Sequence, residues 1–150
     1  MNSFSLLNLF TDGDLAIRLT SILLVVGSVL TWTVIVQKAR LWLRLRGREI
    51  NRALPVEQIM KPFDENLWFL QMASTVAPFI GLFGTVWGVM SAFASIGAAQ
   101  SVSIAVIAPG LAAALGTTVL GLMVAIPAAI AFQYFSKRAD DLYEQLTDNS

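Results

Sequence analysis

The sequence predicts an all-α integral membrane protein with three transmembrane helices. Three observations carry this. Residues 66–136 hold no charged side chain, which is room for two crossings at about 20 residues each. A second uncharged stretch between Arg18 and Lys38 holds one more. Charged residues are 13% of the chain and mean hydropathy is +0.69, whereas soluble domains are about one quarter charged.

The elements follow in order. Residues 1–14 form a short N-terminal segment, and span one covers 15–37, with "LTSILLVVGSVLTWTVIV" at its core. It does not read as a cleaved signal peptide: acidic Asp12 and Asp14 precede it, its apolar run is long, and no small-x-small site follows. Residues 38–66 connect spans one and two. This segment carries Lys38, Arg40, Arg44, Arg46, Arg48, Arg52 and Lys61, so the positive-inside rule places it in the cytoplasm. The N-terminus is then periplasmic. Span two covers 67–98, an uncharged turn covers 99–105, and span three covers 106–136. The tail, 137–150, opens with Lys137 and Arg138 and is cytoplasmic.

"RLWLRLRGREINR" continues span one past the membrane, with Arg40, Arg44 and Arg48 on one helix face. Such a face serves as an ordinary cytoplasmic anchor, or as a surface for anionic membrane lipids or an acidic partner. Pro55 and Pro62 break the helix before span two.

Spans two and three each have a small-residue face. At about 100° per residue, Gly81, Gly84, Thr85, Gly88, Ala92, Ser95 and Ala99 fall on one side of span two. Phe79, Leu82, Phe83, Val86, Met90 and Phe93 fall on the other. On span three, Ala114, Thr118, Gly121, Ala125 and Ala128 share a side, while Ala113 and Thr117 lie roughly 140° and 100° from Thr118. Faces of this kind let membrane helices pack closely. Pro109 sits at the outer start of span three, and Pro127 should bend its interior. Span one is rich in Leu, Ile and Val and is expected outermost, toward lipid.

Thr85 and Thr118 thus project from small faces midway through their spans. Each hydroxyl either bonds back to its own helix or lines a wet path. The chain cannot by itself titrate a proton there, because 66–136 lack Asp, Glu and His. With no base for Ser74, Ser91 or Ser95, and no Cys or His anywhere, no enzyme, metal site or cofactor is expected. A self-contained transporter is disfavoured for the same reason. Zero net charge gives no ground to expect a nucleic-acid partner.

"APFIGLFGTVWGVMSAF" and "APGLAAALGTTVLGLMVAIPAAIAFQYF" resemble the TolQ/ExbB/MotA proton-channel group, most closely its TolQ/ExbB branch. The resemblance covers about 67–136, and span one fits the same layout. It implies a homo-pentamer of three-span subunits in the inner membrane, around two copies of a single-span TolR- or ExbD-like partner that bears a membrane Asp. Proton flow through that Asp is implied to energise TonB-dependent uptake or Tol–Pal action, through a TolA- or TonB-like protein. Thr85 and Thr118 match the family's two motif threonines and are implied to face the partner's Asp, with Thr117 beside them. The small faces of spans two and three are implied to line the pore.

The chain departs from the family at two places. Ala113 stands where the family motif carries a Glu, so any charge contact or proton step from that Glu is lacking. The 38–65 segment is far shorter than the long cytoplasmic helices of the family. Both departures leave open a second role, a non-conducting oligomeric scaffold. The branch, TolQ or ExbB, also stays open, with a lean to TolQ.

Overall fold

The computed structural model describes residues 14–46, 61, 65–98 and 104–147. They form three long helices: α1 (Leu15–Arg46), α2 (Leu67–Ala98) and α3 (Ile104–Thr147). At 1.5 Å per residue these are about 48, 48 and 66 Å long, more than the roughly 30 Å of a hydrocarbon core. Each holds a stretch long and apolar enough to cross a membrane, at Leu15–Leu43, Leu67–Ile96 and Ile107–Asp141. Arg48, Pro55, Pro62, Ala99 and the turn at 99–103 lie outside the described residues.

The helices alternate in direction. Ile17 of α1 meets Gly88 of α2, and farther along Leu24 packs with Ala77. Gly88 of α2 meets Ala114 of α3, while Ala77 meets Gly121. So α2 runs antiparallel to both neighbours, and α1 runs parallel to α3. The most extensive contact is between α2 and α3, with α1 laid across both. Two apolar layers tie all three together. Leu24, Ala77, Val124 and Ala125 form one. Leu67, Leu70, Ala131 and Phe135 form the other, with Val34 and Ile35 packed on it.

The distribution of polarity is turned inside out. Phe79, Phe83, Phe93, Leu115, Val119 and Ile130 are exposed, whereas Thr20, Ser21, Thr31, Lys38 and Thr117 are buried. A lipid solvent explains the first set, since it penalises no exposed apolar surface. The second set puts hydroxyls at helix contacts, where small polar residues permit close approach.

Helix ends follow from local chemistry. The Asp14 carboxylate caps α1: its Oδ1 accepts from the Leu15 N–H at 2.8 Å. Asn66, with φ of 65°, sits in the left-handed region just before α2, a conformation that Asn tolerates better than most residues. Pro78 lies inside α2, and Pro109 and Pro127 lie inside α3. α3 begins at Ile104, so Pro109 falls in its second turn, near the outer start of the helix.

Candidate functional site

The α2–α3 interface is built by glycine. A Cβ placed on Gly81 would lie 2.6 Å from the Thr117 carbonyl oxygen and 3.1 Å from Thr118 Cα. One on Gly121 would lie 2.7 Å from the Ala77 carbonyl oxygen. At Gly84 the obstacle is the Thr117 side chain, 2.6 Å away, and at Gly88 it is the Ala114 methyl, 2.5 Å away. Only hydrogen fits at these four places. Ala92, Ala114 and Ala125 are buried as well. The two small faces therefore meet each other inside one subunit, as helix-packing faces do.

This close approach gathers three threonines. The Thr85 and Thr118 hydroxyl oxygens are 2.6 Å apart, across the two helices. Thr85 Oγ1 also donates to the Ala114 carbonyl at 2.8 Å, with the Gly81 carbonyl of its own helix farther off at 3.3 Å. Thr117 Oγ1 reaches the Gly81 carbonyl at 2.8 Å and its own Ala114 carbonyl at 2.7 Å. The reading of each hydroxyl as bonded only to its own helix is thus too simple. Thr85 has its shorter carbonyl contact across the interface, and Thr117 reaches both helices at nearly equal distance.

One assignment of protons uses the shortest carbonyl contacts. Each hydroxyl has one proton. With Thr85 donating to Ala114, the short contact is Thr118 donating to Thr85. Thr117 divides its proton between two carbonyls. All three donors are then committed, while oxygen lone pairs remain. Thr85 and Thr118 are half-buried, whereas Thr117 is 0% exposed. Part of Thr85 and of Thr118 faces the outside of the subunit, and no part of Thr117 does.

The helical wheel separated Thr117 from Thr118 by about 100°, yet both reach the Gly81 carbonyl, at 2.8 and 3.4 Å. The reason is proximity. With no side chain on Gly81 or Gly84, the α2 backbone sits between the two threonines and touches both. Ala113 is buried, at 4% exposure, one turn from Thr117. Ser95 is exposed and bonds to its own Ala92 carbonyl. Pro127 is half-buried on α3, between the two apolar layers.

Two features escaped the sequence reading. Trp87 Nε1 and Ser91 Oγ of α2 each donate to Asp14 Oδ2 at 3.2 Å, which ties the start of α1 to α2. Those hydrogen bonds, first from Trp87, then from the Leu15 amide and Ser91, hold the Asp14 carboxyl below its ordinary value of 3.8. At the other end, the Arg138 guanidinium of α3 lies 5.4 Å from the ring centroids of both Trp42 on α1 and Tyr134 on its own helix. Trp87 and Ser91, like Tyr134 and Arg138, are four apart on one helix face, but the α1 partner of each pair leaves no mark in the sequence.

Comparison with known proteins adds to this geometry. The sequence model described as the MotA/TolQ/ExbB proton channel family matches residues 45–148. The Tol-Pal system protein TolQ of Pseudomonas aeruginosa is 44% identical over 79 residues, covering 53% of this chain and 34% of that protein. The biopolymer transport protein ExbB of Pseudomonas putida is 44% identical over 81 residues, covering 54% of this chain and 25% of that protein. The ExbB protein of Neisseria gonorrhoeae is 37% identical over 122 residues, covering 73% of this chain and 56% of that protein. The chain thus spans about a quarter to a half of the length of these relatives.

Proposed function

The chain belongs to the MotA/TolQ/ExbB proton channel family, and from that premise we propose that it is an inner-membrane proton-channel subunit working with a single-span partner that carries an intramembrane carboxylate. One observation carries the reading. The half-buried Thr85–Thr118 pair, at 2.6 Å, offers hydrogen bonds near mid-membrane on a chain whose residues 66–136 have no Asp, Glu or His. A carboxylate brought to this pair by another chain supplies the titratable group. The Thr118 proton then turns from Thr85 to the arriving oxygen. Thr85 keeps its bond to the Ala114 carbonyl, so no buried carbonyl is stripped of a partner by that turn.

In this reading five copies form a ring around two partner helices. The N-terminus is periplasmic and the C-terminus cytoplasmic. The proton motive force is spent on Tol–Pal action or TonB-dependent uptake, according to the partner, with a TolA- or TonB-like protein downstream. The relatives' names, TolQ and ExbB, support both branches equally.

A second reading is a non-conducting oligomeric scaffold. Ala113 favours it: a buried methyl stands where the family motif has a Glu.

Co-purification with TolR- and ExbD-like partners in mild detergent, followed by proton flux in liposomes, separates the readings. The conducting reading expects a stable complex with one partner and a flux that Thr85→Val or Thr118→Val reduces at least tenfold. Flux equal to that of empty liposomes, from a complex intact by native mass spectrometry, establishes the scaffold.

A further inference from the structure

The hydroxyl cluster between α2 and α3 has a neighbour on the third helix. Ser21 of α1 is 0% exposed, and its Oγ has no hydrogen-bond partner among the described residues. Its level in the bundle is fixed from both sides. Ile17, one turn before it, reaches Gly88, beside Ala114. Leu24, one turn after it, packs on Ala77, Val124 and Ala125. On a helix, residues 17, 21 and 24 lie within about 60° of one another, so all three point the same way. The layer of α2 and α3 between those two contacts holds Gly81, Gly84 and Thr85, with Thr117, Thr118 and Gly121.

We infer that Ser21 is the α1 member of this cluster, joined to the threonine layer through one buried water, and that it is a positioning residue for the Thr85–Thr118 pair. Two lines of chemistry meet here. A buried hydroxyl is normally met by protein or by an ordered water, and Ser21 has no protein partner. The threonines, for their part, have committed every proton they own. They can accept but cannot donate without giving something up. Ser21 brings the one hydroxyl proton in that layer with no protein acceptor. A water between it and the cluster takes that proton and passes one of its own to a threonine oxygen. This replaces the donor that Thr85 loses when Thr118 turns outward.

Thr31 supplies the internal control. It too is buried, at 1% exposure, with an unpartnered hydroxyl. It lies beyond the apolar layer of Leu24, Ala77, Val124 and Ala125, which separates it from the threonines.

The inference rests on the proton-channel reading, so the experiment first measures flux through the unaltered complex in liposomes. Absence of flux there overturns that reading, and this inference with it. Given flux, Ser21→Ala is expected to reduce it three- to tenfold with the oligomer and thermal midpoint unchanged. Ser21→Thr, which restores a hydroxyl, is expected to recover at least half. Thr31→Val is expected to stay within a factor of 1.5 of the unaltered complex. Flux in Ser21→Ala equal to the unaltered value, while Thr85→Val abolishes it, overturns the role of Ser21 and leaves the channel reading standing. An equal loss in Thr31→Val and Ser21→Ala also overturns it, because the effect is then one of α1 packing in general.

Discussion

At the scale of single residues, the three threonines are not equivalent, although they sit within one helical turn of one another. Thr85 and Thr118 are half-buried and joined at 2.6 Å, while Thr117 is sealed between the helices. A seal makes a residue structural. Thr117→Val keeps the shape and removes a hydrogen bond, which costs about 1 kcal/mol of subunit stability. Because no outside group reaches Thr117, its loss is expected to lower flux less than threefold, against at least tenfold for Thr85→Val or Thr118→Val. Flux measured on complexes matched for oligomer content gives that ranking.

Asp14 carries a different residue-scale expectation. Its carboxyl is held below 3.8 by donors that favour the charged form. A lowered value in the folded state means that the clamp to Trp87 and Ser91 is fully present above the ordinary carboxylate range. It is lost only as pH falls through the depressed value. Indole fluorescence of Trp87, read in a variant with Trp32, Trp42 and Trp68 replaced by Phe, is therefore expected to stay constant from pH 8 to pH 5. It should shift only in stronger acid. Asp14→Ala should show the shifted signal already at neutral pH.

At the scale of helices, glycine decides which substitutions fit. At Gly81 and Gly121 a methyl meets backbone atoms at 2.6 and 2.7 Å, so whole helices must move apart to admit it. Overpacking of that kind costs about 1–3 kcal/mol. Gly81→Ala and Gly121→Ala are each expected to lower the thermal midpoint of the detergent-solubilised subunit. Gly27 of α1 is the opposite case. It lines an apolar crevice of about 200 Å³ with Leu23, Leu30, Met72 and Val76, and nothing lies within 4 Å of its added Cβ. Gly27→Ala gains helix propensity, up to about 1 kcal/mol, without a clash. The same melting experiment should show its midpoint raised.

The helix scale also shows what the sequence could and could not convey. The uncharged runs, whose lengths match the bilayer, made the three spans legible, and the spacing of Gly81, Gly84 and Gly88 made the small face legible. What that face touches was not legible. A wheel treats each helix alone, and a narrow face suits a pore-lining role and an internal contact equally well. The pairing of Gly81 with Gly121 is a relation between two helices, fixed only once both are placed. Thr117 was assigned to another side for the same reason. Ser21 and Thr31 went unread because a hydroxyl in a Leu/Val/Ile run gives no sign of which way it points.

At the scale of the whole molecule, polarity runs from the inside out. Hydroxyls and Lys38 lie at helix contacts, and aromatic and branched side chains cover the outside. In water such a surface would aggregate; in a bilayer it is simply wetted by lipid tails and by neighbouring copies. The proposed ring of five belongs to this scale, and in that proposal its subunit contacts come from the exposed faces and not from the glycine seam. Native mass spectrometry of Gly81→Ala is then expected to show less folded subunit, but the same copy number among what folds.

The glycine seam has one mechanical consequence. Where the Gly81 backbone rests on Thr117 and Thr118, and the Gly121 backbone on Ala77, a slip of one residue would drive Leu82 or Leu122 into a main chain. The pair can neither slide nor roll on itself. It behaves as a single stave in a barrel. In the proposed assembly with a single-span partner, α2 and α3 then serve as fixed housing, and any play between parts falls outside the subunit.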